Sequence, residues 1–427
     1  MKKIRLEKHL KIKLIISITL IGLLVLSFFF AKPIEDFLGL SPKPRKHQTT
    51  EDIVETSEYF VSYLDVGQGN STFVKLPDGK TMLIDGGDIS YGEIVSNYLK
   101  DYGVTTIDYL IATHSDSDHI GGLSYILDNY DVKNIYRPFQ VAGSGTSADT
   151  FVVYENEDLG KIYKHLMIET SNKSKISRVT TNIFKSFVSK IYAETYTEGD
   201  VVKESLVSVF YDGLIISGEN YQIEFFGPLK RDGDYNLSNY CSETSGYATV
   251  GYGVTNMNDN SAMFMVSCFD EHYFFSGDAS FNSKGKGSNL GEDDFIQSLT
   301  ESEIERISKV SVFMLGHHGS KNSSSSALLE LLSPRFVIVS SGHEYGHPAD
   351  ETLERLLAIK SLEEDYLLRT DEFGTIMFSS TENGLAYSLE IADSAVDITI
   401  SYIELGILCA VVLLSIIFGI KPSRAKA

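Results

Sequence analysis

The stretch IDYLIATHSDSDHIGG, Ile107–Gly122, decides the fold. Ile107–Thr113 is an almost continuous apolar run, the pattern of a strand buried on both faces. The polar half, THSDSDH at Thr113–His119, sets His114, Asp116, Asp118 and His119 within six residues of one another, directly at that strand's end. A turn in this position aims several side chains at one point. Imidazole and carboxylate donors together suit Zn²⁺, Mn²⁺ or Fe. Taken alone, such a run is also what an ordinary solvated turn looks like.

Working outward, the same grammar repeats. Tyr59–Leu64, Ser71–Leu76 and Thr81–Ile84 read as consecutive short strands separated by Gly-rich or Pro-Asp-Gly turns. Gly92–Tyr102 reads as a helix, and Ile120–Asn129 resumes as one. Beyond a less regular stretch, residues 138–258, which holds a strand pair near Leu206–Phe226 and the likeliest place for an insertion or lid, Ser261–Phe269 and Tyr273–Phe275 form a hairpin pattern ending at Ser276-Gly277-Asp278. Val310–Leu315 runs into Gly316-His317-His318-Gly319-Ser320. Ser323–Leu332 is helical, Phe336–Ser340 is a strand, Ala349–Lys360 is helical, and Asp365–Ile391 is strand-rich. Strands followed by strand–helix units, twice over, predict an α/β sandwich with two sheets inside and helices outside. Asp65, Asp85, Asp278, His317, His318 and His347 all stand near strand ends, where one sheet edge brings them together.

The ordered motifs LDVGQG (Leu64–Gly69), IDGG (Ile84–Gly87), THSDSDHIGG (Thr113–Gly122), SGDA (Ser276–Ala279), GHHGS (Gly316–Ser320) and YGHP (Tyr345–Pro348) carry a resemblance. The chain resembles the metallo-β-lactamase superfamily over about Tyr59–Ile391. It is most similar to the hydrolase domain of ComEC-type competence proteins and to the related cell-surface phosphocholine esterases. The resemblance implies a four-layer αββα sandwich and two divalent metal ions, Zn²⁺ or Mn²⁺. It places one ion on His114, Asp116 and Asp278, and the other on Asp118, His119, Asp278 and His317. It makes Asp118, His318 and His347 the candidate catalytic residues, with His347 near the leaving group or phosphate. Asp65, Asp85 and Asn260 would orient the ligands from behind. Activity would be hydrolysis by a metal-activated hydroxide.

Three departures bear on the metal. Asp116 replaces the superfamily's commoner second histidine. The histidine that usually completes the first metal site has no clear counterpart; His165 is the candidate, and Asn258-Asp259-Asn260-Ser261 occupies the nearest matching stretch. An oxygen-rich first site is therefore expected, favouring Mn²⁺ or a loosely held Zn²⁺. Asn70 stands where ComEC-type relatives usually carry Asp.

Two uncharged segments, Leu14–Ala31 and Leu405–Ile420, approach the roughly 20 residues needed to cross a bilayer. Lys2, Lys3, Arg5, Lys8, Lys11 and Lys13 precede the first, and Lys421, Arg424 and Lys426 follow the second, so both ends are expected in the cytoplasm and the rest outside. The organisation read from the chain is a basic N-terminus (1–13), a membrane helix (14–31), a stalk (32–58), the hydrolase domain (59–392), a second membrane helix (400–420) and a cytoplasmic tail (421–427). The Phe-Phe-Phe-Ala end of the first segment fits a retained anchor better than a cleaved signal peptide. Cys409 lies in the second apolar segment. Cys241 and Cys268 are read as unpaired thiols, with Cys268 buried in a strand.

Net charge disfavours one broad class. Residues 51–399 hold 24 basic and 54 acidic residues, a net charge near −30. Such a surface repels polyanions at long range and lacks the basic footprint of a general nucleic-acid binder. The expected substrate is a phosphodiester, either a small molecule or a cell-surface polymer such as a choline-phosphate polymer. A ComEC-like nuclease is the alternative, with Lys161–Lys190 as its basic strip. A weakly catalytic sensing or binding module on the same fold is another.

Overall fold

The computed structural model describes residues 50–138, 143–144, 147–156, 160–169, 181–210, 212–227, 258, 261–281, 291–342, 345–362, 366–381 and 384–390. Residues 46–391 form one compact unit. Leu14–Ala31 and Leu405–Ile420 lie outside the described residues, as do Asn260 and Cys241. Among the described residues, no helix is long and apolar enough to cross a membrane.

Two sheets stack face to face. The first runs, edge to edge, Leu206–Val209, Asp131–Arg137, Thr106–Ile111, Thr81–Ile84, Thr72–Lys75, Phe60–Tyr63, Ile376–Thr381 and Gly384–Leu389. The second runs Ile215–Gly218, Tyr221–Gly227, Met263–Cys268, Glu271–Phe275, Val312–Met314, Phe336–Val339 and Leu367–Arg369. Each sheet has four successive parallel strands. In the first they run from Thr81–Ile84 to Leu206–Val209. In the second they run from Glu271–Phe275 to Leu367–Arg369. Loops leaving the carboxyl ends of such strands gather on one edge of the sandwich, where α/β folds place their ligands.

Side-chain alternation explains why these strands are apolar on both faces over their buried parts. In Thr106–Ile111, Tyr109 and Ile111 enter the core between the sheets, while Leu110 faces outward into the cluster with Val95, Leu99, Ile126 and Phe187 of the covering helices. The second sheet repeats this: Tyr273, Phe275, Val312 and Met314 point inward. Phe274, Phe313, Val337 and Val339 point out, against Leu328, Leu329 and Leu332 of the helix Ser326–Leu332. Three apolar layers thus separate helix, sheet, sheet and helix, the expected sandwich. Cys268 is a free thiol in the inter-sheet core, and burial pushes its pKa up to about 12.

The structure corrects several boundaries. Thr50–Thr56, read as stalk, is a helix whose Ile53 is fully buried against the outer face of the first sheet. Two adjacent apolar residues, Ile53 and Val54, in an otherwise polar heptapeptide leave no periodicity to detect. The helix expected at Ile120–Asn129 is two pieces, Ser117–Ile120 and Leu123–Asn129, broken at Gly121-Gly122. The break lets this loop press against the Asp85–Gly87 turn: a Cβ on Gly122 would lie 2.1 Å from the Gly86 carbonyl oxygen. Residues 138–258 hold a separate hairpin and, as the sequence pattern near Leu206–Phe226 indicates, strands of the main sheets. Ser147–Asn156 and Gly160–Glu169 pair as a separate hairpin, but Leu206–Val209, Ile215–Gly218 and Tyr221–Gly227 are strands of the two main sheets, and Asn182–Ile191 covers the first.

Candidate metal centre

The edge of the sandwich carries a cluster of imidazoles and carboxylates. Thr106–Ile111 delivers His114, and the short helix Ser117–Ile120 presents Asp118 and His119. Glu271–Phe275 delivers Asp278, which is almost wholly buried. Val312–Met314 delivers His317 and His318, both in the left-handed region (φ 51° and 55°) that side-chain-bearing residues avoid. Hydrogen bonds from neighbouring loops hold this turn. His317 N–H donates to Gly277 O at 3.0 Å, Gly316 N–H donates to Ser324 Oγ at 3.1 Å, and Ser323 Oγ donates to Gly316 O at 2.6 Å.

Asp278 is the hub. Its Oδ1 lies 3.1 Å from His119 Nε2. Its Oδ2 lies 3.7 Å from His114 Nε2, 3.7 Å from His317 Nε2 and 3.9 Å from His318 Nε2. On the other side, His318 Nε2 is 3.2 Å from Asp118 Oδ2. Two sets have ligand atoms within 4.8 Å of one another: His114, His119 and Asp278, and Asp118, His119 and His318. Asp116 is half exposed, its Oδ2 3.8 Å from His114 Nε2.

The back edges of the rings fix their chemistry. His119 Nδ1 is 2.7 Å from Asp85 Oδ2. Asp85 also accepts from Thr113 N–H at 2.8 Å and from the Thr113 hydroxyl at 2.7 Å. With its one proton directed to Asp85, Thr113 Oγ1 is an acceptor for His114 Nδ1–H at 3.1 Å. His318 Nδ1 is 2.7 Å from the Ser340 carbonyl, which only accepts. All three rings therefore direct Nε2 at the carboxylates, with the opposite nitrogen anchored as in metal-binding histidines. His114 Nε2, His119 Nε2 and Asp278 Oδ1 are buried and make no hydrogen bond, the last two meeting only as an ion pair at 3.1 Å. Buried polar atoms without partners are costly, and this donor set fits a pair of divalent cations.

Electrostatics point the same way. Burial would raise the Asp278 pKa, but His119, His114 and His318 hold it well below the usual carboxylate range. Burial would also raise Asp118, yet the His318 hydrogen bond and His119 bring it down to about 2. Burial and the adjacent His119 push His114 down. For His119, burial works against charge, but Asp278 and Asp85 outweigh it and hold the pKa well above the ordinary value. A metal ion binding there takes the place of a proton. His347 is lowered by burial, His318 and His317.

The remaining candidates fall in different places. Asp65 Oδ1 accepts from Gly67 N–H at 3.1 Å, shaping the LDVGQG turn. His347 joins the histidine cluster, its ring 6.2 Å from that of His317 and 6.4 Å from that of His318. His165 pairs in register with Phe151 in the separate hairpin. Of the two adjacent histidines, His318 rather than His317 meets Asp118 and His119; His317 is a third exposed and faces Asp278 alone among these carboxylates. Sequence reasoning passed over Thr113, Ser340 and Gln68. Thr113 stands inside the quoted motif, but Ser340 acts through a backbone carbonyl and leaves no signature.

Residues 64–152 match the family described as the metallo-beta-lactamase superfamily. ComE operon protein 3 of Bacillus subtilis (strain 168) is 22% identical over 345 residues, 76% of this chain and 33% of that protein. Competence protein ComA of Neisseria gonorrhoeae is 40% identical over 78 residues, 17% of this chain and 10% of that protein. The chain thus spans about a third of the length of the first relative and a tenth of the second. Among solved structures, the metallo-beta-lactamase fold protein YhfI from Bacillus subtilis aligns with a TM-score of 0.36 at 9% identity, covering 73% of this chain and 95% of that one.

Proposed function

We propose that this chain, a ComEC-like member of the metallo-beta-lactamase superfamily, is a membrane-anchored, extracytoplasmic phosphodiesterase using two divalent metal ions. The coarser reading, a metal-dependent hydrolase, follows from the superfamily. The observation that carries it is the convergence of three Nε2 atoms, each with its opposite ring nitrogen anchored, on the Asp278 and Asp118 carboxylates.

His114 and Asp278, with Asp116 alongside, would hold one ion, and Asp118, His119 and His318 the other, with Asp278 facing both. Bound there, such ions supply a low-pKa water and Lewis-acid stabilisation of developing negative charge. The chain's own residues do the rest. Asp85 and Thr113 orient His119 and His114, and the Ser340 carbonyl orients His318. His317 and His347 line the mouth with donors suited to phosphoryl oxygens. The apolar segments Leu14–Ala31 and Leu405–Ile420, with their basic flanks, support membrane anchoring. The net charge near −30 favours a small or zwitterionic diester over DNA.

The test is metal content and hydrolysis of full-length protein loaded with Zn²⁺ or Mn²⁺. Near two equivalents of metal, with bis-p-nitrophenyl phosphate turnover lost in Asp278→Ala, supports the reading. Turnover of DNA above that of phosphocholine esters favours the nuclease. No metal uptake and no hydrolysis leaves the weakly catalytic binding module.

A further inference from the structure

The LDVGQG loop sends one side chain, Gln68, to the histidine cluster. Its amide reaches in two directions. Oε1 accepts from Gly342 N–H at 3.2 Å, and Nε2 lies 3.4 Å from Nδ1 of His347. A backbone N–H only donates, so the amide oxygen must face Gly342. The amide nitrogen therefore faces His347, and because it also only donates, Nδ1 must accept. Neutral His347 then carries its proton on Nε2, at the ring edge away from Gln68.

We propose that Gln68 is a positioning residue that holds His347 in the Nε2–H tautomer, so that the imidazole meets substrate oxygen as a hydrogen-bond donor rather than as a base. The loop is clamped on both sides of Gln68. Ser340 Oγ donates to Gly69 O at 2.6 Å, and Asn70 N–H donates to Asp118 O at 3.0 Å. Gly67 takes φ 59°, where a Cβ would lie 2.4 Å from the Tyr91 hydroxyl. At the other end of the bridge a Cβ on Gly342 would stand 2.9 Å from Gln68 N, so the strand-end loop carrying Gly342 is pressed onto the Gln68 backbone. Beyond it, the His347 carbonyl accepts from Arg369 Nη2 at 3.4 Å and the Ser341 hydroxyl at 3.5 Å. Two loops far apart in the chain are thus locked in register, and the amide has one orientation that satisfies both neighbours.

The inference rests on the phosphodiesterase reading only for what Nε2–H meets; the tautomer stands by itself. The experiment is solid-state ¹⁵N NMR of histidine-labelled full-length protein, with the His347 signals identified by their loss in His347→Gln. The expected wild-type result is a protonated Nε2 and an unprotonated Nδ1. Gln68→Glu keeps the shape but presents an acceptor to the ring, so above the ring's pKa its single proton moves from Nε2 to Nδ1. In that variant kcat for bis-p-nitrophenyl phosphate falls roughly tenfold, the loss of one hydrogen bond, while metal content is unchanged. A wild-type His347 protonated on Nδ1, or the same tautomer in Gln68→Glu, overturns the proposal. Absence of diester turnover in the wild type counts against the phosphodiesterase reading and leaves the tautomer to the nitrogen spectra.

Discussion

Replacing Asp85 by Asn isolates one hydrogen bond behind the metal centre. Asp85 is fully buried and sits at φ 57°, a conformation Asn adopts readily, so the backbone needs no adjustment. In the native protein Oδ1 accepts from Thr113 N–H and Oδ2 receives the Thr113 hydroxyl and His119 Nδ1, the latter at 2.7 Å. Oδ1 of Asn retains the backbone bond, which puts the NH₂ group where Oδ2 was. His119 Nδ1 must then accept, its proton moves to Nε2, and the lone pair that faced Asp278 is lost. Removing such a partner of a ligating histidine lowers metal affinity by about 10- to 100-fold, or roughly 1.4 to 2.7 kcal/mol at 1.36 kcal/mol per factor of ten. The assay is competition with a chromophoric chelator on full-length protein, with the thermal midpoint of the metal-free form measured alongside. The affinity loss should exceed anything the metal-free midpoint explains. Two equivalents bound within threefold of wild-type affinity would refute the assignment of His119 Nε2 as a metal ligand.

Other consequences concern stability. Glu292 is buried and accepts from the backbone N–H groups of Ser324 and Ser325, the latter at 2.8 Å; burial, opposed by those bonds, raises its pKa from 4.5 to about 7. Its contribution to stability is therefore fully present below about pH 4.5 and is lost as pH rises to about 7, a change of about 3 kcal/mol. Denaturant titrations should show this slope in the wild type and not in Glu292→Gln; parallel curves would contradict it. Ile53→Ala should cost about 2–5 kcal/mol, measured by the same titrations, if Thr50–Thr56 belongs to the folded unit; a neutral result would return it to the stalk. Gly122→Ala drives a methyl into the Gly86 carbonyl and should destabilise by at least about 1–3 kcal/mol, seen as a lowered thermal midpoint; a wild-type midpoint would mean that this loop is loosely packed.

The apolar run Ile107–Thr113 and the polar run that follows it were legible because both are local facts. A strand buried on two faces must be apolar at nearly every buried position, and a loop at its carboxyl end must be polar to reach solvent or ligand. The same holds for Tyr273–Phe275 with Asp278 and for Val310–Leu315 with the double histidine. Ile53 escaped because one buried side chain in seven residues makes no pattern. The break at Gly121-Gly122 escaped because it answers to the Asp85–Gly87 turn, a neighbour in space.

By itself, then, the amino-acid order determined which side chains are available and at which edge of the sandwich they stand. Tertiary structure alone decided which nitrogen of each ring faces the centre, and which of His317 and His318 meets Asp118. Those choices depend on partners far along the chain: Asp85 for His119, the Ser340 carbonyl for His318, Asp118 across 200 positions, and Gln68 for His347 across 279. An imidazole has two nearly equivalent nitrogens, and a pair of adjacent histidines presents two nearly equivalent rings. Only a hydrogen-bond partner held at a fixed distance by the packed sheets breaks that symmetry.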